Sequence, residues 1–160
     1  MAGAYKLTAE LVPEKSWSIN LRKQMTKGQW DKLRKKAIAD AGEKCAICGA
    51  EGPLYCHEVW EYDEANLVQQ LAGFTALCNL CHHVKHFGMA STLASEGRLD
   101  IERVIAHFMA VNDCDLKAFK RYIVQVGKQW QERSKHEWTV DLGQYAALAK
   151  PSATQIELCI

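Results

Sequence analysis

The sequence predicts an α+β fold: two strands and a helix stapled by zinc, with helices flanking this core on both sides. Three observations predict it. Two Cys-x-x-Cys pairs, Cys45/Cys48 and Cys78/Cys81, are separated by a 29-residue insert. That insert reads as two strands, and a helix starts directly after the second pair. Beyond it, residues 100–134 carry apolar stripes at helical period.

Taken in order, residues 1–25 contain Pro13 and little periodicity, and read as an irregular arm. Thr26 is a good N-cap for a helix over about 28–41 that ends at Gly42. Its residues Trp30, Leu33, Ala37 and Ile38 share one face, and Lys32, Arg34, Lys35 and Lys36 fill much of the remainder. Cys45 to Gly49 forms a tight knuckle. Residues 53–60 read as a strand and the polar residues 61–66 as a loop. Residues 67–77 begin helix-like and end strand-like; a strand directly before Cys78 is the preferred reading. A short helix then runs from near Asn79 to near Gly88.

Two longer helices follow, over 100–112 and 115–134. Ile101, Val104, Ile105, Phe108 and Met109 line the first, and Leu116, Phe119, Ile123, Val126 and Trp130 line the second; both stripes read as core. Residues 138–142 suit a closing strand, and 150–160 a loose tail. The organisation expected is therefore an arm over 1–25, a core with its preceding basic helix over 26–88, a helical extension over 89–149, and the tail.

A chain of 160 residues is long enough to bury one real core. No apolar run approaches the roughly 20 residues needed to span a bilayer. The N-terminus lacks the basic-then-apolar layout of a signal peptide. A soluble, cytoplasmic protein without a membrane partner is expected. In a reducing compartment, paired Cys-x-x-Cys spacings favour metal over disulfides, while the isolated Cys114 and Cys159 read as small apolar residues. The net charge of +1 hides an asymmetry, +5 over residues 1–44 and −4 over the rest. The basic segment could meet phosphates, or it is a solvated helix face.

Zn²⁺ takes four tetrahedral ligands, and Cys45, Cys48, Cys78 and Cys81 supply four thiolates. Such a site is closed, with no position left for water, so this zinc is structural. The histidines remain for other work. On a helix from Asn79, His82 and His86 lie four apart on one face, the spacing of a two-imidazole metal site. His83 points away. The strand over 53–60 independently offers Cys56-His57-Glu58, and the zinc draws both ends of the insert together.

This order resembles the HNH endonuclease family: a Cys-x-x-Cys pair, a strand bearing His57, a second strand, then Cys78-x-x-Cys81-His82-x-x-Lys85-His86. The match covers about residues 43–88. The resemblance implies a ββα-metal core and metal-dependent hydrolysis of DNA phosphodiester bonds. One catalytic divalent cation (Mg²⁺, Mn²⁺, Ni²⁺ or Zn²⁺) would be held by His82 and His86. The region of His57 would supply a general base and a further ligand.

Where the family commonly has Asp or His before its basic histidine, Cys56 precedes His57 here and Glu58 follows it. Two assignments stand. His57 is the base, with Cys56 or a nearby carboxylate completing the metal shell, or His57 binds the metal and Glu58 is the base. The near-neutral titration of imidazole favours the first. The family's middle Asn falls at Gly73, with Asn66 the nearest Asn upstream. The acidic cluster Glu61, Asp63 and Glu64 reads as a solvated loop.

DNA is the expected partner, together with a protein partner that presents the DNA or regulates cleavage, because the net charge is small. A non-catalytic zinc-stabilised module that binds nucleic acid or protein is the alternative. A redox or zinc-storage role would need incompletely coordinated thiols, which the paired spacing opposes.

Overall fold

A computed structural model describes residues 4–16 and 21–148; Cys159 and the tail expected over 150–160 lie outside these. The described chain is mixed α+β. After a short helix, α1 (Leu21–Gln24), comes α2 (Lys27–Asp40). Thr26 closes a capping box: its hydroxyl accepts the Gln29 N–H at 3.2 Å, and the Gln29 side chain accepts the Thr26 N–H at 2.9 Å. Gly42 follows the helix end with φ +67°, a conformation glycine adopts without strain. Trp30 and Leu33 pack with Leu21, Met25 and Leu71. The opposite face is partly self-neutralised, since Lys27 pairs with Asp31 and Lys36 with Asp40.

Strands β1 (Tyr55–Asp63) and β2 (Val68–Leu77) form an antiparallel hairpin, with His57 opposite Thr75. The loop expected over 61–66 is mostly strand and turn. Asp63 accepts the N–H groups of Ala65 at 3.1 Å and Asn66 at 3.0 Å, which tightens the reversal and lets β1 run on to Asp63. The helix-like start of 67–77 is overridden by pairing on both sides. β3 (Thr139–Asp141) joins the other edge of β2 in parallel, with Gln69 opposite Val140.

Helix α3 (Asn79–Lys85) follows β2 after one residue. The single helix expected to run to Gly88 is instead broken at His86 (φ −98°, ψ 49°), and α4 (Phe87–Ser95) departs from there. α5 (Ile101–Asn112) and α6 (Leu116–Ser134) start at Asp100 and Asp115, whose carboxylates cap the first turns. Val104, Phe108 and Phe119 are buried with Leu7, Leu77, Cys81 and Val84 in one core. Leu116, expected in the core stripe, is exposed at the start of α6.

The arm expected to be irregular over 1–25 has no helix or strand over residues 4–13, and it is packed down where described. Leu7 is fully buried. Its N–H donates to Asn112 Oδ1 and its carbonyl accepts from Asn112 Nδ2, both at 2.9 Å. The Ala9 N–H donates to the Tyr122 hydroxyl at 2.8 Å, and Trp130 Nε1–H to the Val12 carbonyl at 2.9 Å. The strap thus satisfies its backbone against helix side chains rather than against a strand, which is why no periodicity marks it. No helix among the described residues is long and apolar enough to cross a membrane.

Candidate metal centres

The four cysteines expected to share an ion converge. Their Sγ atoms all lie within 4.8 Å of one another. The 45–49 knuckle is closed by Gly49 N–H to Cys45 O at 2.9 Å, with Gly49 at φ +76°. It is pinned to β2 by Ala46 N–H to Ala76 O at 3.0 Å. Cys78 is the N-cap of α3, its sulfur accepting the Cys81 N–H at 3.5 Å. Cys48 and Cys78 Sγ stand 3.6 Å apart. Two thiolates on one tetrahedral Zn²⁺ at about 2.3 Å would be about 3.8 Å apart, whereas a disulfide needs about 2.0 Å. The spacing fits a shared ion.

Burial raises Cys45, but N–H groups of Cys48, Cys78 and Ile47 outweigh it and bring the thiol down to about 7. Burial and the neighbouring sulfurs push Cys81 up. Four sulfurs of this kind are deprotonated together only when a cation offsets their charge. His107, which no motif marks, lies 3.1 Å from Cys81 Sγ through Nε2. Burial keeps its imidazole below the ordinary value; toward a deprotonated sulfur, which has no hydrogen to give, its Nε2–H would be the donor.

A second group forms where β1 meets α3. His57, His82 and His86 each offer a ring nitrogen, and these lie within 4.8 Å of one another. His82 and His86 are one turn apart on α3, with centroids 4.7 Å apart; His57 reaches them from β1 at 5.7 and 4.9 Å. His57 Nδ1 and His86 Nε2 are separated by 3.2 Å. Two imidazole nitrogens on one tetrahedral ion at about 2.0–2.1 Å would be about 3.3 Å apart. Burial, reinforced by the neighbouring imidazoles, lowers His82 to about 3 and His86 to about 4. Both rings are therefore neutral near pH 7, the form that ligates metal. Tyr55 stacks on His82, centroids 5.4 Å apart and planes 8° from parallel.

Glu58 stands outside the three-imidazole group. Its carboxylate accepts the Trp60 indole N–H at 3.1 Å, and burial raises its pKa. It lines a cleft of about 760 Å³ that also reaches Glu10 and His86. Cys56 is not part of the group either; burial and then the Glu58 charge push its thiol up to about 11. Asn66 sits at the hairpin tip, bonded to Asp63, away from the histidines at its base. A side chain at Gly73 would meet the Tyr145 hydroxyl at 3.8 Å. Glu64 pairs with Arg133, and His83 is outside both groups.

Two more residues border the histidine group: Lys85, which stands inside the motif run before His86, and Glu10, which carries no sequence signal. Glu10, on the strap, places Oε2 3.0 Å from His57 Nε2 and Oε1 2.6 Å from Lys85 Nζ. Burial alone would raise Glu10; the His57 hydrogen bond and the Lys85 charge outweigh it and leave the carboxyl below its ordinary value. Lys85 is buried on α3 and also donates to Thr8 Oγ1 at 2.9 Å. Set against protein-family models, curated proteins and solved structures, the chain matches none of them.

Proposed function

We propose that the protein is a metal-dependent endonuclease of the HNH type, hydrolysing DNA phosphodiester bonds. The observation that carries this reading is the convergence of three imidazoles, from a β-hairpin and the helix after it, beside a separate group of four cysteine sulfurs. A closed Cys₄ site suits a structural Zn²⁺, whereas three histidines leave positions for water and substrate.

His57, His82 and His86 would hold one divalent cation. When bound, it supplies Lewis acidity toward a phosphate oxygen and the leaving oxygen. Both nitrogens of His57 already face partners, His86 on one side and Glu10 on the other. That favours His57 as a ligand and Glu58 as the base. Glu58 borders the cleft reaching His86, and its raised pKa makes it the stronger proton acceptor. A positioned base is worth about 10²–10⁴-fold.

The test is nicking of supercoiled plasmid by purified protein with Mg²⁺, Mn²⁺, Ni²⁺ or Zn²⁺. Cleavage that His57→Ala abolishes and Glu58→Gln reduces about 10²-fold or more is expected. A folded protein that binds the cation and never nicks DNA, with or without cellular extract, leaves only the zinc-stabilised binding module.

A further inference from the structure

Glu10 lies 47 residues before His57 in the chain, yet one of its carboxylate oxygens faces His57 and the other is held by Lys85, the residue before His86. Its main chain is anchored there too, through Glu10 N–H to Lys85 O at 2.8 Å. A carboxylate has no hydrogen to give, so the 3.0 Å contact requires the hydrogen on His57 Nε2. With that hydrogen on Nε2, the nitrogen left to offer a lone pair to a cation is Nδ1, which faces His86 Nε2 at 3.2 Å.

We infer that Glu10 is a positioning residue for the metal site: by accepting the Nε2–H of His57 it holds that ring in the tautomer whose Nδ1 ligates the cation. This rests on the reading that the three histidines take a divalent ion. The unit is a carboxylate–histidine–metal relay, with its carboxylate delivered by the strap rather than by the hairpin or helix. Such outer partners fix ring orientation and raise ligand basicity, and their loss typically weakens metal binding about 10–100-fold. Lys85 makes the arrangement selective for a carboxylate. It occupies Oε1 and leaves Oε2 for His57. Glu10→Gln puts an NH2 donor where one of the two acceptor oxygens stands, so the contact made at that position is lost.

Two measurements test this. In long-range ¹H–¹⁵N spectra of wild-type protein, with zinc retained by the cysteines and the histidine group metal-free, His57 should show the Nε2–H pattern. An Nδ1–H pattern overturns the relay. In chelator-competition titrations with Co²⁺, Glu10→Gln should bind about 10–100-fold more weakly, with cysteine-bound zinc and the circular dichroism spectrum unchanged. Glu10→Asp, which keeps both acceptor oxygens, should recover part of the loss. A folded Glu10→Ala variant, which has no acceptor for the His57 Nε2–H, overturns the proposal if its Co²⁺ affinity is unchanged. Should that variant fail to fold, the wild-type spectrum decides alone. Protein that shows the tautomer and binds Co²⁺ but does not cleave DNA overturns only the nuclease reading. Wild-type protein that does not bind Co²⁺ overturns the relay itself.

Discussion

His57 Nδ1 and His86 Nε2 lie 3.2 Å apart across the junction of β1 and α3, close enough to share one hydrogen or one ion. Burial keeps the His82 and His86 imidazoles uncharged. On the proposed reading, the two groups would hold two metal equivalents of different character in one small domain. His82→Ala should remove the exchangeable equivalent and leave the cysteine-bound one. Its loss of affinity should exceed the roughly 10–100-fold typical of outer-partner changes. Metal analysis by mass spectrometry after dialysis against a mild chelator checks both numbers.

Cys45→Ser should have the opposite signature. Structural Zn²⁺ contributes about 10–16 kcal/mol in apparent binding, and a domain's whole stability is about 5–15 kcal/mol. The variant should therefore lose its cooperative thermal transition along with its tight zinc. A sharp melt with no bound zinc would show that the cysteines are dispensable.

Acidification should destabilise the fold through the histidines. The folded pKa values of His82 and His86, about 3 and about 4, lie below the ordinary 6.5. Between these limits the unfolded chain binds more protons, so stability rises with pH there. The contribution is full above pH 6.5 and is lost as pH falls toward 4. Between pH 7 and pH 5 the loss should be on the order of 2 kcal/mol per ring, read as a fall in the urea midpoint without added metal. His82→Ala should show a shallower fall, and an identical slope in the two proteins would remove the histidines from the explanation.

The strap is held by Asn112 at Leu7, three residues before Glu10. Asn112→Ala leaves a buried N–H and C=O unpaired and should cost about 1–3 kcal/mol. It should also weaken Co²⁺ binding at the histidines, although residue 112 touches none of them. Hydrogen exchange at Leu7 and Ala9, compared with a cobalt titration, would show whether the two effects travel together.

What the sequence made legible was whatever repeats locally. The α2 helix is marked by Thr26, Gln29 and the Trp30–Leu33–Ala37 face, and it forms within a residue of its expected span. The cysteine pairs are marked by spacing, and the four sulfurs meet. The segment 67–77 carried conflicting signals because its strand character comes from partners: β1 on one side and β3, some 70 residues later, on the other. Glu10 was silent for the same reason. Its meaning depends on His57 and Lys85, 47 and 75 residues away, and nothing in its neighbourhood encodes them. The break at His86 also leaves no local mark, since no proline or glycine precedes it within α3.

Cys78 holds two positions at once, a corner of the thiolate group and the cap of the helix that carries His82 and His86. An ion held by the four sulfurs, as proposed, would therefore also brace the first turn of that helix. One sulfur atom would then tie occupancy of the cysteine group to the way the two helical imidazoles are presented.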